Sequence, residues 1–456
     1  MPNQFQDTII ALSTPVGEGA IGVIRLSGKE AISLVNQVFF GKDLTQQSSN
    51  TLHFGTIRDG ENVIDEVVVS LFVAPHSFTK ENVVEISCHG SSFIIQQIIQ
   101  LLIKKGARAA RAGEFTQQAY LNGQYDLAQA EAIADLIAAD SAAAHRAALH
   151  QMRGGFSREI GELRERLVHF ASMIELELDF SEEDVEFANR GELRKLVDEI
   201  LTAVRRLIQS FSLGNVVKNG VPVVIAGKPN VGKSTLLNAL LNEEKAIVSD
   251  VPGTTRDYIE DEITIDGIRF RFIDTAGIRE TTDTVEAIGV QRTYEKMKQA
   301  ALILYLFDLR EDNLEGVLRE TKELEQLDIP LIRVGNKVDQ ARSSLMRTLS
   351  AAEDLIFISA TQKQHLEELK RKLIEKTQLD RLNSNQTLVT NVRHYESLVR
   401  TQSSLEQVIV GLEQDVTHDF LAQDIRHALY ALGEITGEIT TDDLLSNIFS
   451  KFCIGK

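Results

Sequence analysis

The sequence predicts a multidomain protein of mixed α/β and α class, and three observations carry that reading. Residues 227–234 read GKPNVGKS between an apolar run and a helical run. Stretches with helical spacing of apolar residues lie on both sides of that region. Residues 1–120 alternate short β-type runs with Gly, Pro and Asn turns. Taken in order, residues 8–11, 20–26, 52–57, 66–72 and 83–87 predict strands, and 91–105 predicts a helix. Beyond residue 115 the composition turns Ala- and Leu-rich, and 126–139, 142–152, 160–178 and 193–211 predict long amphipathic helices. Helices resume at 392–414, 420–432 and 441–452. The economical arrangement is an α+β domain over 1–120, then a long-helix domain in two parts, 121–217 and 380–456. An α/β domain over 218–379 is inserted between them. The ends of a compact domain often lie close together, which permits such an insertion.

The inserted domain carries the strongest local signal. The apolar run 221–226 enters GKPNVGKS and the helical run 235–241 leaves it, so the motif sits in strand, glycine-rich turn and helix. Backbone N–H groups of Asn230, Val231, Gly232, Lys233, Ser234 and Thr235 would cradle phosphates at the helix N-terminus. Lys233 would reach the outer phosphates and Ser234 would ligate Mg²⁺.

Three further motifs complete the nucleotide site, and two of them point to guanine. Asn336-Lys337-Val338-Asp339 follows the apolar run 330–335, and the Asp339 carboxylate suits the paired N–H donors of the guanine edge. Adenine lacks that pair and would leave a buried acceptor unpaired. Asp274-Thr275-Ala276-Gly277 closes the run 268–273, where Asp274 would hold Mg²⁺ through water and the Gly277 N–H would face the γ-phosphate. Ser359-Ala360-Thr361 follows 355–358 and offers a backbone N–H to the guanine carbonyl. Motifs in this order, each just after a buried-strand pattern, match a Ras-like P-loop G domain that binds GTP at the carboxyl ends of its strands.

The usual water-orienting Gln is missing. The position after Asp-x-x-Gly is Ile278, which neither donates nor accepts. Glu286 begins a helical pattern and reads two ways, as a water-orienting carboxylate or as a solvated carboxylate at the positive end of a helix. Residues 251–257, VPGTTRD, lie where a switch loop belongs, with a threonine available to complete the Mg²⁺ shell. Asn230 is a neutral oxygen donor inside the phosphate loop. Together with switch-loop carbonyls it can hold a monovalent cation where an arginine finger otherwise neutralises charge; equally, it can simply stabilise the turn.

Composition limits the partners. The chain of 456 residues has a net charge of −18, which argues against a self-sufficient nucleic-acid binder. Cys88 and Cys453 are its 2 cysteines, so neither a disulfide framework nor a Cys-based metal cluster is expected, and a reducing cytoplasm fits. The first residues lack the basic and apolar regions of a signal peptide. No apolar run approaches the ~18 residues of a membrane span.

Several segments together resemble one family. TPVGEGAIGVIRLSG, DLAQAEAIADLI, GKPNVGKSTLLNAL, PGTTRD, DTAGIR, VEAIGVQR, NKVD, ITGEITTDDLL and FCIGK occur in the order found in the MnmE (TrmE) family of tRNA modification GTPases. The resemblance runs from Asp7 to Lys456. It implies an N-terminal domain that binds a 5-formyl-tetrahydrofolate-type one-carbon donor and forms a homodimer. It implies G domains that pair across their nucleotide sites when GTP and K⁺ are bound. It also implies an FAD-containing partner, MnmG (GidA), in a heterotetramer that acts on tRNA. The complex adds an aminomethyl or carboxymethylaminomethyl group at C5 of the wobble uridine.

Carried over by position, the resemblance makes Asn230, Ser249, Val251 and Thr254 the K⁺ ligands, Ser234 and Thr255 the Mg²⁺ ligands, and Glu286 the residue that orients the catalytic water. Arg25, Glu85, Gln124 and Lys456 match folate-contacting positions, with Gln124 standing where the family often has a basic residue. Cys453 is either a nucleophile toward the uridine ring or a small buried residue. A GTP-dependent ribosome or RNP assembly switch is the alternative function, although such proteins typically append a basic RNA-binding module. A maturation GTPase for metal clusters would need a cysteine-rich site that two distant cysteines cannot form.

Overall fold

A computed structural model describes residues 7–179, 190–244, 260–273, 300–311, 314–327, 329–341, 355–377, 387–414 and 418–455. Its contacts divide the chain into two units: residues 1–137, 151–201 and 400–456 form the first, and 138–150 with 202–399 form the second.

In the first unit, β1 (Ile9–Leu12), β2 (Ile21–Ser27), β3 (Phe39–Phe40), β4 (Thr51–Asp59), β5 (Asn62–Phe72), β6 (Val83–His89) and β7 (Arg108–Ala109) form a sheet in the order β3-β4-β5-β6-β2-β1-β7. Neighbours pair antiparallel except β1 with β7. The alternating pattern of the strands has a direct consequence. One face carries Ile24, Leu26, Val67, Val69, Val84 and Ile86 into a core with helices α1 (Ala31–Asn36) and α2 (Ser92–Lys104). In α2, Ile95, Ile98, Leu101 and Leu102 repeat at helical spacing and are buried there. The helix stops before Gly106, whose φ of +123° suits glycine.

The rest of this unit is helical: α3 (Glu114–Leu121), α4 (Leu127–Ala138), α6 (Gly155–Asp179), α12 (His418–Thr436) and α13 (Asp442–Phe449), with α6 packed along α12. Thr441 caps α13 by accepting from the Leu444 N–H at 3.3 Å, and Asp442 and Asp443 fill its first turn. Helices α5 (Ala142–Met152), α7 (Arg190–Asn219) and α11 (Val392–Glu413) contribute residues to both units.

Helix α7 runs past the expected end at residue 211. Gly214 weakens helix propensity there, yet the helix needs it: a Cβ would stand 2.1 Å from the Val389 carbonyl oxygen. Close backbone approach outweighs propensity, and the helix ends at Gly220, with φ +79°.

In the second unit, β8 (Val221–Ala226), β9 (Glu260–Ile265), β10 (Ile268–Ile273), β11 (Leu302–Asp308), β12 (Leu331–Asn336) and β13 (Leu355–Phe357) form a sheet in the order β13-β12-β11-β8-β10-β9. All neighbours are parallel except the β9–β10 hairpin. Its two faces carry separate cores, one with Leu236, Leu240, Leu369 and Leu373 and the other with Tyr305, Phe307 and Val317. These come from α8 (Lys233–Glu244), α10 (Leu366–Thr377) and α9 (Leu314–Glu325). A strand covered on both sides reads as an unbroken apolar run, as 302–307 does. The chain leaves β8, forms the β9–β10 hairpin on one side and crosses to β11 on the other. The carboxyl end of β8 is therefore the topological switch point where ligands bind in such sheets.

Candidate functional site

The phosphate loop leaves β8 at that switch point. Gly227 (φ +142°) and Gly232 (φ +104°) take conformations that disfavour side chains. Neither has room for one: a Cβ on Gly227 would meet the Leu306 carbonyl oxygen at 2.0 Å, and a Cβ on Gly232 would meet Asn336 Nδ2 at 2.3 Å. Asn230 sits at φ +62°, a region that Asn tolerates. Lys233 and Ser234 open α8, so the positive end of the helix faces the loop. The Lys233 ammonium donates to the Gly227 and Lys228 carbonyls at 2.6 and 3.0 Å. These glycines and the helix N-terminus form a backbone cradle that fits the phosphates of a nucleotide.

The base-reading loop is tied to this cradle by one side chain. Asn336 ends β12 and is 3% exposed. Its Nδ2 donates to the Val231 carbonyl at 2.9 Å, and its Oδ1 accepts from the Lys337 and Ala360 N–H groups at 2.8 and 3.0 Å. Ser359 turns back on itself through two backbone bonds with Gln364. Thr361 is exposed beyond the buried Ala360. Asp339 is exposed, and a hydrogen bond from Ser359 holds its carboxyl below the usual carboxylate range. Like any exposed aspartate it is ionised at neutral pH and only accepts, as a guanine reader must.

Lys337 adopts φ +67° and donates to the Asn230 carbonyl at 3.0 Å and to Asp308 Oδ2 at 2.5 Å. Asp308 was not anticipated from the sequence. Burial alone would raise its pKa, but hydrogen bonds from Arg310 and Lys337 more than offset that and hold the carboxyl well below its ordinary range. The available signal was a charged residue closing a strand otherwise apolar and buried throughout.

The structure thus brings together Asn230, Val231, Gly232, Lys233, Ser234, Thr235, Asn336, Lys337, Asp339, Ser359, Ala360 and Thr361 at one end of the parallel sheet. Ser249, Val251, Thr254, Thr255, Asp274, Thr275, Ala276, Gly277, Ile278, Glu286 and Lys456 lie outside the described residues.

A second group of predicted site residues lies on the other face of the first unit's sheet. Strand register aligns Leu52, Ser70, Glu85, Arg25 and Ala11 in one row, and Phe54, Val68, Ser87 and Val23 in the next. Arg25 Nη2 and Nε both reach Glu85 Oε1, at 2.7 and 2.8 Å. The guanidinium also lies over the Phe78 and Phe115 rings, 5.5 and 5.8 Å from their centroids. Residues 453–455 dock beside it. Ala112 bridges to Ile454, Gly113 N–H donates to the Cys453 carbonyl at 3.3 Å, and Ser13 Oγ donates to the Gly455 carbonyl at 3.2 Å. Arg25 Nη1 reaches the same carbonyl at 3.5 Å. Gly455 has φ +92° and a Cβ there would stand 2.2 Å from the Leu12 carbonyl oxygen. Gln124 precedes Tyr125, whose ring lies 6.0 Å from that of Phe78. Arg25, Glu85 and the backbone next to Lys456 therefore converge, with Gln124 one residue from an aromatic neighbour of that cluster.

Cys88 is buried, and burial followed by the nearby Asp65 charge pushes its thiol up to about 11. Cys453 is exposed. Among the described residues no helix is long and apolar enough to cross a membrane.

Comparison with known proteins finds two family matches: "GTP-binding protein TrmE N-terminus" over residues 8–124 and "MnmE helical domain" over 127–453. The tRNA modification GTPase MnmE of Cytophaga hutchinsonii is 60% identical over 450 residues, covering 99% of this chain and 98% of its own. That of Flavobacterium psychrophilum is 53% identical, covering 99% of this chain and 100% of its own. Among solved structures, a variant of Aquifex aeolicus Era bound to GDP and AlF4⁻ is similar over 40% of this chain and 66% of its own, at 25% identity and a TM-score of 0.27.

Proposed function

The chain belongs to the MnmE family of tRNA modification GTPases, and given that membership we propose that it is a potassium-activated GTPase whose turnover drives modification of the wobble uridine. It hydrolyses GTP to GDP and phosphate in the inserted domain. As a cytoplasmic homodimer it works in a heterotetramer with an FAD-containing MnmG partner and engages tRNA through that complex. A tetrahydrofolate one-carbon unit supplies the carbon added at C5 of the uridine.

The observation that carries this reading is the convergence of Arg25, Glu85 and Gly455 on one sheet face. A nucleotide switch alone has no use for such a face. Arg25 would orient an anionic ligand by charge, Glu85 would hold that guanidinium and accept from the ligand's ring N–H groups, and Lys456, which the resemblance also assigns to the folate, would supply a second cation. The face also exposes Leu52 and Phe54, at 70% and 69%, beside Val68. Contiguous exposed apolar residues of this kind favour association with a second copy.

In the nucleotide site, the loop from Gly227 to Thr235 binds phosphates and Asp339 accepts from guanine. Ser234, with Thr255, would hold Mg²⁺. Asn230 would hold K⁺ with the backbone near Ser249 and Val251 and with Thr254. A cation held there would supply positive charge where negative charge develops on the departing GDP. Glu286 would orient the attacking water in place of the Gln that Ile278 replaces.

Mass analysis of wobble uridines in total tRNA tests the reading. Cells lacking the protein should lose the aminomethyl-type modification and regain it with the wild-type chain. Normal uridine modification in the deletion strain overturns it.

A further inference from the structure

We propose that Asp308, which lies outside the nucleotide motifs, is the positioning residue that sets guanine discrimination and the cation response together. The potassium half of this proposal rests on the assignment of Asn230 above; the guanine half does not.

Asp308 is the last residue of β11 and stands beside Asn336 in the parallel pairing with β12. Its side chain is 6% exposed, and two arms leave it. The first runs through Lys337, whose ammonium is shared between Asp308 Oδ2 at 2.5 Å and the Asn230 carbonyl at 3.0 Å. The second runs through Arg310, which donates to Asp308 from Nη2 at 2.8 Å and from its backbone N–H at 3.0 Å. Arg310 Nη1 reaches Gln340 Oε1 at 3.2 Å, and Gln340 Nε2 reaches Asp339 Oδ2, also at 3.2 Å.

One buried carboxylate therefore holds the backbone at the proposed cation ligand on one side and the guanine-reading carboxylate on the other. Charge-assisted bonds with fixed geometry are the kind that position. A lysine side chain is a flexible stem with a point charge. Without Asp308, Lys337 has one carbonyl to hold it against the loop, and Arg310 loses the anchor that directs it toward Gln340. The two arms also separate the two effects. Arg310 serves the base side alone, and Asp308 serves both.

The test compares Asp308→Asn and Arg310→Met in the full chain, using GTP against ITP. Inosine lacks the exocyclic amino group that Asp339 accepts. Asp308→Asn should lower the GTP-to-ITP affinity ratio by about tenfold or more and raise the K⁺ concentration for half-maximal hydrolysis several-fold. Arg310→Met should lower the ratio with the K⁺ response unchanged, and Asp308→Glu should restore part of both. An Asp308→Asn protein with native circular dichroism and an unchanged affinity ratio overturns the proposal, as does equal loss of GTP and ITP binding. If Asp308→Asn does not fold, the Arg310→Met ratio decides. If the wild-type protein hydrolyses GTP equally well in Na⁺ and K⁺, the assignment of Asn230 fails and the base ratio alone decides this proposal.

Discussion

Asn336 and Val231, 105 residues apart in sequence, are joined by a 2.9 Å hydrogen bond from the carboxamide to the phosphate-loop carbonyl. The other end of that carboxamide serves the Ala360 N–H. Asn336→Ala would leave the Val231 carbonyl and a buried N–H without this partner, at about 1–3 kcal/mol for each unsatisfied group. GTP affinity should fall by at least about tenfold, with a lower melting temperature. A fluorescent-nucleotide titration and a thermal melt check both. Wild-type affinity in the variant would mean that the two loops hold their geometry without the carboxamide.

Nucleotide identity should follow Asp339. Its carboxyl is ionised at neutral pH as an exposed aspartate is, the Ser359 hydrogen bond lowers its pKa further, and it presents acceptors only. Asp339→Asn replaces one acceptor with a donor. GTP binding should weaken by at least about tenfold, and xanthosine nucleotides, whose exchanged ring group suits an amide, should gain relative affinity. Unchanged preference between the two bases would remove guanine reading from Asp339.

Hydrolysis should separate from binding at Glu286. Glu286→Ala should slow single-turnover hydrolysis by roughly 10²-fold or more and leave the GTP dissociation constant nearly unchanged. Asn230→Ala should instead lose the difference between K⁺ and Na⁺ while retaining most nucleotide affinity, because the backbone cradle remains. Rapid-quench assays in the two salts distinguish the variants. A Glu286→Ala protein with normal turnover returns that residue to a solvated carboxylate at a helix start.

The two thiols should differ sharply in reactivity. Cys88 is buried with its pKa pushed up to about 11. A raised pKa leaves the thiol protonated, and it stays unreactive until pH approaches that value. Alkylation of the native protein at pH 8 should label Cys453 alone, and both residues should label in denaturant. Rapid labelling of Cys88 in the folded protein would contradict its burial.

One-carbon donor binding should need both ends of the converging cluster. Arg25→Met and Lys456→Ala should each weaken 5-formyl-tetrahydrofolate binding by about tenfold, the scale expected for losing a charge-assisted contact. Calorimetry on the intact protein measures this. An unaltered affinity in Lys456→Ala would place that lysine outside the site.

Local patterns made the cradle legible. Gly227, Lys233, Asn336 and Asp339 stand in short motifs just after apolar runs, and their chemistry is written in residue type and spacing. Asp308 was not legible, because its role comes from Lys337, 29 residues away, and from the register of β11 against β12. Strand β11 also has no alternation, and an apolar run of that kind does not separate a buried strand from a helix. The extension of α7 was hidden by Gly214, whose low propensity conceals a tight backbone contact with Val389. On the sheet face, Arg25 and Glu85 pair through strand register. The docking of Gly455 against Leu12 is a tertiary event that periodicity cannot show.

That docking puts a clock on assembly. The contact between Ser13 and Gly455 spans 442 residues, and at about 5–20 residues per second a ribosome needs roughly 20–90 s to cross that interval. The first sheet leaves the ribosome long before its partner segment exists. Until residue 455 is made, Arg25 lacks the Gly455 carbonyl beside it. The nucleotide unit, which ends at residue 399, is translated within the same wait. A chain interrupted between residues 399 and 455 can thus carry a complete nucleotide unit and an unfinished sheet face. Loss of the second site with retention of the first would be the signature of an incomplete translation product.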